Sequence, residues 1–295
     1  MTDSTHDRQQ VDQLLALMQL DAVGGDHFRA QSDNIGTPAV FGGQVLGQAL
    51  RAAYLTVAPD RPVHSLHGYF LLPGEHAPID YEVTRVRDGR SFSMRRVVAR
   101  QGENIIFEMN ASFQTVSDGI EHQAPMPQVA GPEGLQSEHA LRQALIPHLP
   151  PYFHDKTLAP RGLEYRPVEP VDLLNPPKRE GPTAIWVRAM AGLPDDPSVH
   201  RALLAYGSDH GLLLAAIAPH GLSLFKGEVR MASLDHAMWF HRDFRLDDWL
   251  LYVFDSPSAG GARGLCQGRF YTREGQLVAS VMQEGMVRPW LKRSA

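Results

Sequence analysis

Arg90-Ser91-Phe92-Ser93-Met94-Arg95-Arg96-Val97-Val98-Ala99-Arg100-Gln101-Gly102 has a second copy later in the chain, Arg263-Gly264-Leu265-Cys266-Gln267-Gly268-Arg269-Phe270-Tyr271-Thr272-Arg273-Glu274-Gly275. The copies align without a gap at an offset of 173 (263 − 90), pairing Arg90 with Arg263, Arg96 with Arg269, Arg100 with Arg273, Gly102 with Gly275 and Met109 with Met282. These are five identities in the 23 pairs from Asp88 to Asn110. Each copy reads as a strand, a glycine turn and an apolar strand, which is a hairpin signal twice over. A duplicated unit of this size implies two similar domains packed together, with any ligand site between them.

Outward from the first hairpin, Val11, Leu14, Leu15 and Met18 mark a short amphipathic helix. Asp26 to Ser32 reads as an edge strand. After Pro38 comes a longer helix with Val45, Leu46, Ala49, Leu50, Ala53 and Tyr54 as its apolar members. Gly42, Gly43 and Gly47 on that helix weaken it by about 1 kcal/mol each relative to alanine. Something therefore approaches its backbone closely, either a packed sheet or a ligand. Strands are expected at 64–72, 79–87, 92–101 and 104–115. One helix followed by a run of antiparallel strands is α+β. Residues 117–160, with Pro125, Pro127, Pro132, Pro147, Pro150, Pro151 and Pro160, read as a linker with one short helix near Ser137 to Leu145. The order then restarts with strands at Leu163 to Pro167 and Ala184 to Ala189. A helix capped by Ser198 is expected to run through Leu203, Leu204, Leu212, Leu213 and Ala216, before strands near 229–235, 248–256, 262–273 and 276–287. The expected domains are 1–116, the linker 117–160, and 161–295.

With 295 residues, 43% of them hydrophobic, the chain buries a core large enough for two domains. Its net charge of −5 argues against a nucleic-acid partner. No run of about 18 apolar residues is present. Met1 to Gln10 lacks the apolar core of a signal peptide, and Arg293-Ser294-Ala295 is not a peroxisomal address. Cys266, the single cysteine, excludes an internal disulfide and a multi-thiolate metal site. A cytoplasmic protein is expected.

No G-x-S-x-G, P-loop, G-x-G-x-x-G or H-E-x-x-H occurs in the chain. The histidine pairs His64/His67 and His236/His241 lack carboxylate and thiolate partners at ligand spacing and read as structural, with no metal expected. Two short, gapped extensions of the echo set Phe41-Gly42-Gly43-Gln44 against Tyr206-Gly207-Ser208-Asp209, and Ser65-Leu66 against Ser233-Leu234. Asp209 is then a carboxylate in an otherwise Leu, Ala and Gly stretch, with Gln44 as its counterpart. Gln283 ends an apolar run opposite Asn110, and Ser233 matches Ser65. Each also has a plain structural reading: a local cap, an edge residue and a strand-end hydroxyl.

At these residues the chain resembles the acyl-CoA thioesterase II family. The likeness is carried by Val40 to Leu50, His64 to Gly74, Arg87 to Phe92, Ala205 to Asp209, Leu234 to Arg242 and Gln283-Glu284-Gly285, over roughly residues 11 to 289. The resemblance implies a double hotdog, two hotdog domains in one chain. It also implies hydrolysis of fatty acyl-CoA to free fatty acid and coenzyme A without metal or cofactor. The family's water-orienting Asp, Thr or Ser, and Gln fall on Asp209, Ser233 and Gln283. Serine in place of threonine keeps the hydroxyl but drops the methyl that stiffens χ1. Gly42 and Gly43 are the expected oxyanion donors, because glycine lets a backbone approach a substrate. One active site per chain is expected, together with assembly into a homodimer or homotetramer. Two other readings remain open: an enoyl-thioester hydratase, and a non-catalytic acyl-CoA-binding hotdog protein.

Overall fold

A computed structural model describes residues 4–149 and 162–290. Pro150, Pro151 and Pro160 of the expected linker, and the C-terminal Arg293-Ser294-Ala295, lie outside the described residues. The chain begins with α1 (Thr5–Leu17), β1 (Asp21–Gly24), β2 (His27–Ala30), α2 (Gly42–Tyr54), β3 (Val63–Phe70), β4 (Ile79–Asp88), β5 (Phe92–Gln101) and β6 (Asn104–Gln114). After α3 (Glu138–Leu145) come β7 (Leu163–Pro167), β8 (Thr183–Ala189), α4 (Pro197–Ser208), β9 (Val229–Ser233), β10 (Asp235–Phe240), β11 (Leu250–Gly260), β12 (Arg263–Thr272) and β13 (Leu277–Pro289).

The strands form one sheet in the order β1-β2-β4-β5-β6-β3-β10-β13-β12-β11-β8-β7, with β9 paired to β13. That order is palindromic about the β3/β10 seam, which is what the duplicated hairpin implies: β5–β6 and β12–β13 occupy matching places on either side. The seam is antiparallel, with Asp235 opposite Tyr69, Ala237 opposite His67 and Trp239 opposite Ser65. Sheet and helices thus make an α+β double hotdog. Its main hydrophobic core draws buried residues from both halves, among them Leu46, Leu66 and Phe107 from the first and Leu204, Phe270 and Val281 from the second.

The two central helices run antiparallel against each other. A Cβ added to Gly43 would lie 2.3 Å from the Tyr206 carbonyl oxygen, and one on Gly47 would lie 3.0 Å from that of Ala202. These glycines exist for helix–helix packing, so the neighbour that approaches α2 so closely is the second helix. A side chain at Gly43 forces the helices apart, whereas one at Gly47 meets a tight contact. The buried amide of Gln48 is satisfied by Leu17 O, Gln31 O and the Tyr81 hydroxyl.

Several sequence expectations need correction. The strand near 26–32 is not at the edge: β1, four exposed residues without alternation, lies outside it. The second central helix is capped by Asp196, whose carboxylate accepts from Ser198 N, and it stops at Ser208. Gly211, at φ 76°, breaks the path, and a 3-10 turn at Leu212–Ala216 carries the remaining leucines. The strand expected at 229–235 is two strands, β9 and β10, separated at Leu234, and the second of them forms the seam.

The echo itself slips at the hairpin turn. Cys266 faces Gln283 across β12–β13, whereas Arg95 faces Ala111 and Arg96 faces Asn110 across β5–β6. Ser93, Arg95 and Val97 match Cys266, Gly268 and Phe270 in burial, but beyond the turn exposed Asn110 is set against buried Gln283. The shift is three residues, since Ser93, the counterpart of Cys266, pairs with Phe113, and any odd slip turns the other face of the strand inward. Asn110 is therefore not the counterpart of Gln283. The inward-facing positions of β6, Met109, Ala111 and Phe113, carry no polar group.

Candidate active site

Asp209 is the C-cap of α4, with φ −76° and ψ −14°. A carboxylate at the negative end of a helix costs about 0.3–1 kcal/mol on its own. Here the antiparallel packing brings the opposite end of α2 alongside: a Cβ on Gly42 would lie 2.9 Å from Asp209 Oδ2. The carboxylate thus sits between the negative end of one helix and the positive end of the other.

Gln283 reaches the same point from the sheet. Period two along β13 turns Val281, Gln283 and Gly285 inward, and Gln283 is completely buried. Its Nε2 donates to Asp209 Oδ1 at 2.6 Å and to Ser233 Oγ at 2.9 Å. Ser233 stands where β9 ends, and its Oγ lies 3.5 Å from Asp209 Oδ1. Reversing the Gln283 amide would set Oε1 against the carboxylate, so the nitrogen must face Asp209. Oε1 is then a buried acceptor with no partner among the described residues. Leaving such an acceptor unmet costs about 1–3 kcal/mol. The three residues singled out in the sequence therefore meet at one point. Among the described residues, the hydrogen bonds to the Asp209 carboxylate fall on Oδ1; Oδ2 faces Gly42.

The start of α2 is built to leave its amides free. Phe41 is the N-cap and offers no side-chain acceptor, unlike Asp196 at the start of α4. An absent cap costs about 0.5–2 kcal/mol. The N–H groups of Gly42 and Gly43 donate to no group among the described residues. Phe41, stacked edge-on against Tyr206 at 5.2 Å, and Phe70, 5.0 Å from Phe107, frame this helix start in apolar surface.

Two further contacts hold the Asp209 segment. His236 is fully buried on β10, with Nε2 2.9 Å from Ser208 Oγ and Nδ1 4.0 Å from Asp209 Oδ1. Burial pushes the imidazole down to about 4, against the pull of Asp209, so it is neutral at physiological pH. His210 Nε2 donates to the Glu138 carboxylate of α3 at 2.7 Å, and its ring stacks on Tyr165 at 4.2 Å. Burial works against the charge of Glu138, but His210 and Arg142 outweigh it and hold the carboxyl well below the usual range. His236, a structural histidine by its sequence context, lies against the Asp209 segment. Alternation along Leu234, His236, Met238 and Phe240 was the signal that places it inward, beneath α4.

The first half has no such cluster among the described residues. Its equivalent helix end is Leu55, the C-cap of α2, and the following Thr56 is taken up by buried Arg95, which donates to Thr56 Oγ1 and O at 2.9 Å each. Gln44, expected to mirror Asp209, sits instead in the first turn of α2, accepting from Asp33 N at 3.1 Å. At the opposite meeting of helix ends, Arg51 bonds Ser198 and pairs with Asp196. Of the histidine pairs, His64 bonds Ser112 at 2.8 Å and His241 bonds Ser280 at 2.9 Å. No group of three or more His, Cys, Asp or Glu able to hold a metal ion occurs among the described residues. None of the described helices is long and apolar enough to cross a membrane.

Comparison with known proteins bears on this arrangement. The family described as acyl-CoA thioesterase matches residues 165–286, and that described as acyl-CoA thioesterase N-terminal domain matches residues 28–114. Acyl-CoA thioesterase 2 of Haemophilus influenzae is 38% identical over 276 residues, covering 93% of this chain and 96% of the relative. Human acyl-coenzyme A thioesterase 8 is 38% identical over 282 residues, covering 92% and 88%. Among solved structures, an acyl-CoA thioesterase II from Mycobacterium marinum superposes with a TM-score of 0.77 at 42% identity, covering 94% of this chain and 98% of that one. A hot dog fold protein of unknown function from Alicyclobacillus acidocaldarius, at 18% identity and a TM-score of 0.72, shares the fold.

Proposed function

The chain belongs to the acyl-CoA thioesterase family and hydrolyses acyl-CoA to a free fatty acid and coenzyme A, and we propose that it does so with one water aimed by Asp209, Ser233 and Gln283. The observation that carries this reading is the convergence of the three side chains within 2.6–3.5 Å, with Gln283 Oε1 a buried acceptor that has no partner among the described residues. Oδ1 of Asp209 is engaged by Gln283 and Ser233, so Oδ2 is the atom that takes the proton. The water lies between Oδ2, Ser233 Oγ and Gln283 Oε1, which fixes its direction of attack.

Attack on the thioester carbon forms a C–O bond and places negative charge on the carbonyl oxygen. The N–H groups of Gly42 and Gly43, at the positive end of α2, receive that charge. One such donor is worth roughly 3–4 kcal/mol in other enzymes. Collapse breaks the C–S bond, and the proton held on Asp209 passes to the departing thiolate. The Asp209 cluster has no copy in the first half, where Leu55, Thr56 and Arg95 fill the place, and this supports one site per chain.

The same reading divides the chain into hotdog domains 1–116 and 161–295 joined by the linker 117–160. It places the protein in the cytoplasm as a homodimer or homotetramer. Support for assembly comes from β1, β7 and β9, each paired on one side only among the described residues.

Single-turnover hydrolysis in ¹⁸O-labelled water tests the mechanism. Direct attack by water places the label in the released fatty acid and leaves Asp209 unlabelled. Label in Asp209 with an unlabelled acid in the first turnover means that the carboxylate itself attacks, and refutes the reading. Thiol release in the same assay separates hydrolysis from water addition by a hydratase and from simple binding, neither of which frees coenzyme A.

A further inference from the structure

The contact of His236 with Asp209 leaves something unexplained: its Nδ1 is a buried nitrogen with no hydrogen-bond partner among the described residues. The imidazole is inaccessible, and the Asp209 side chain is only 7% exposed. The Asp209 oxygen nearest the ring, Oδ1, is the one already bonded by Gln283 and Ser233. Two tautomers are available to a neutral imidazole, and they differ in what faces the carboxylate.

With the proton on Nε2, that nitrogen donates to Ser208 Oγ and the Nδ1 lone pair faces Asp209 Oδ1 at 4.0 Å. Two acceptors then oppose each other at a fully buried imidazole, where unmet polar atoms are most costly. With the proton on Nδ1, an N–H dipole faces the negative charge, and the Ser208 hydroxyl, 2.9 Å from Nε2, supplies the hydrogen that Nε2 accepts. Ser208 Oγ also lies 2.9 Å from Ala205 O and 3.3 Å from Met238 Sδ, but its one hydrogen serves one of the three. The electrostatics of the Asp209 side select the second arrangement.

We propose that His236 is a positioning residue for Asp209: its Nδ1–H faces the carboxylate, and Ser208 fixes that tautomer from behind. The inference rests on the assignment of Asp209 as the proton acceptor. Four ångströms is longer than a hydrogen bond, so the interaction is a charge–dipole attraction that does not displace Gln283 from Oδ1. It holds Oδ1 toward the sheet and so turns Oδ2 toward Gly42 and the incoming water. A neutral donor suits the task, because a cation in this place would form an ion pair with the carboxylate that must take the proton.

Two substitutions divide the imidazole into its halves. An asparagine amide nitrogen occupies the place of Nδ1, and a glutamine amide nitrogen that of Nε2. His236→Asn keeps a donor toward Asp209 and loses the Ser208 contact, while His236→Gln does the reverse. The expected result is a kcat loss of about threefold in His236→Asn and at least about tenfold in His236→Gln, with KM unchanged in both. Equal losses, or the opposite order, overturn the inference, since a purely structural role through Ser208 favours glutamine. Asp209→Asn is assayed beside them. If it retains full hydrolysis, the assignment of Asp209 fails and this inference with it. If it is inactive while the histidine variants rank the wrong way, only the role of His236 fails. Nitrogen-15 NMR of the wild-type protein needs no substitution: Nδ1 protonated and Nε2 bare is the expected signature, and the reverse tautomer refutes the proposal.

Discussion

Gln283 Nε2 and Asp209 Oδ1 lie 2.6 Å apart although 74 residues separate them in the chain. The contact ties the inward face of β13 to the last turn of α4, and Ser233 closes the group from the end of β9. Gln283→Ala removes both the donor that holds Oδ1 and the acceptor that meets the water. A misplaced reacting group costs roughly a hundredfold, so kcat should fall by about that factor with KM little changed. Steady-state kinetics at saturating acyl-CoA checks it; a change confined to KM contradicts the role.

Ser233 offers a graded test. Ser233→Ala removes the hydroxyl that accepts from Gln283 Nε2 and donates weakly to Asp209 Oδ1, and should lower kcat by about fivefold, near 1 kcal/mol. Ser233→Thr restores the hydroxyl and adds the methyl that restricts χ1, so it should match or exceed the wild-type rate. A threonine variant as slow as the alanine variant would show that the hydroxyl is not what matters.

The adjacent glycines of α2 should separate stability from activity. A Cβ on Gly43 falls 2.3 Å from Tyr206 O, which forces the central helices apart and costs about 1–3 kcal/mol, read as a drop of several degrees in Tm. A Cβ on Gly42 instead falls 2.9 Å from Asp209 Oδ2 and 3.0 Å from Phe70. Gly42→Ala should therefore lose most of its hydrolysis with a smaller change in Tm than Gly43→Ala. Calorimetry and thiol release on the pair decide it, and equal effects on both readouts contradict the division.

Acid stability follows from the buried imidazole. His236 titrates at about 4 in the folded protein against 6.5 as the ordinary value, and burial also lowers His64, His200 and His241. Between these values the unfolded chain binds a proton that the folded chain refuses. Stability is thus fully present above pH 6.5 and is lost as pH falls toward 4. The contribution of His236 is on the order of 3 kcal/mol across that window. Urea midpoints should fall between pH of about 7.5 and about 5, and the slope should be shallower in His236→Asn. A variant with the wild-type slope contradicts the assignment.

Much of this was legible in the residues themselves. The hairpin echo led to the palindromic sheet because alternation and turn glycines are local signals. Asp209, Ser233 and Gln283 were found as polar residues in apolar company and by family likeness. Apart from the local cap and end of the second central helix, the misread features depend on register or on distant packing. Asn110 matched Gln283 only in the ungapped alignment, and the sheet register moved it to the other face. Gln44 matched Asp209 by motif, yet stands at the opposite end of its helix. The close approach to Gly43 and Gly47 was visible as helix-weakening glycines, but that it comes from α4 required the two halves to be docked.

The most direct measurement is thiol release by Asp209→Asn across a chain-length series of acyl-CoA substrates. Asparagine preserves shape and a hydrogen-bonding oxygen while removing the charge that takes the proton, and general-base catalysis is worth roughly 10²–10⁴-fold. The account predicts a fall in kcat of that size for every chain length, with the fold and KM retained. Wild-type turnover in this variant would contradict it.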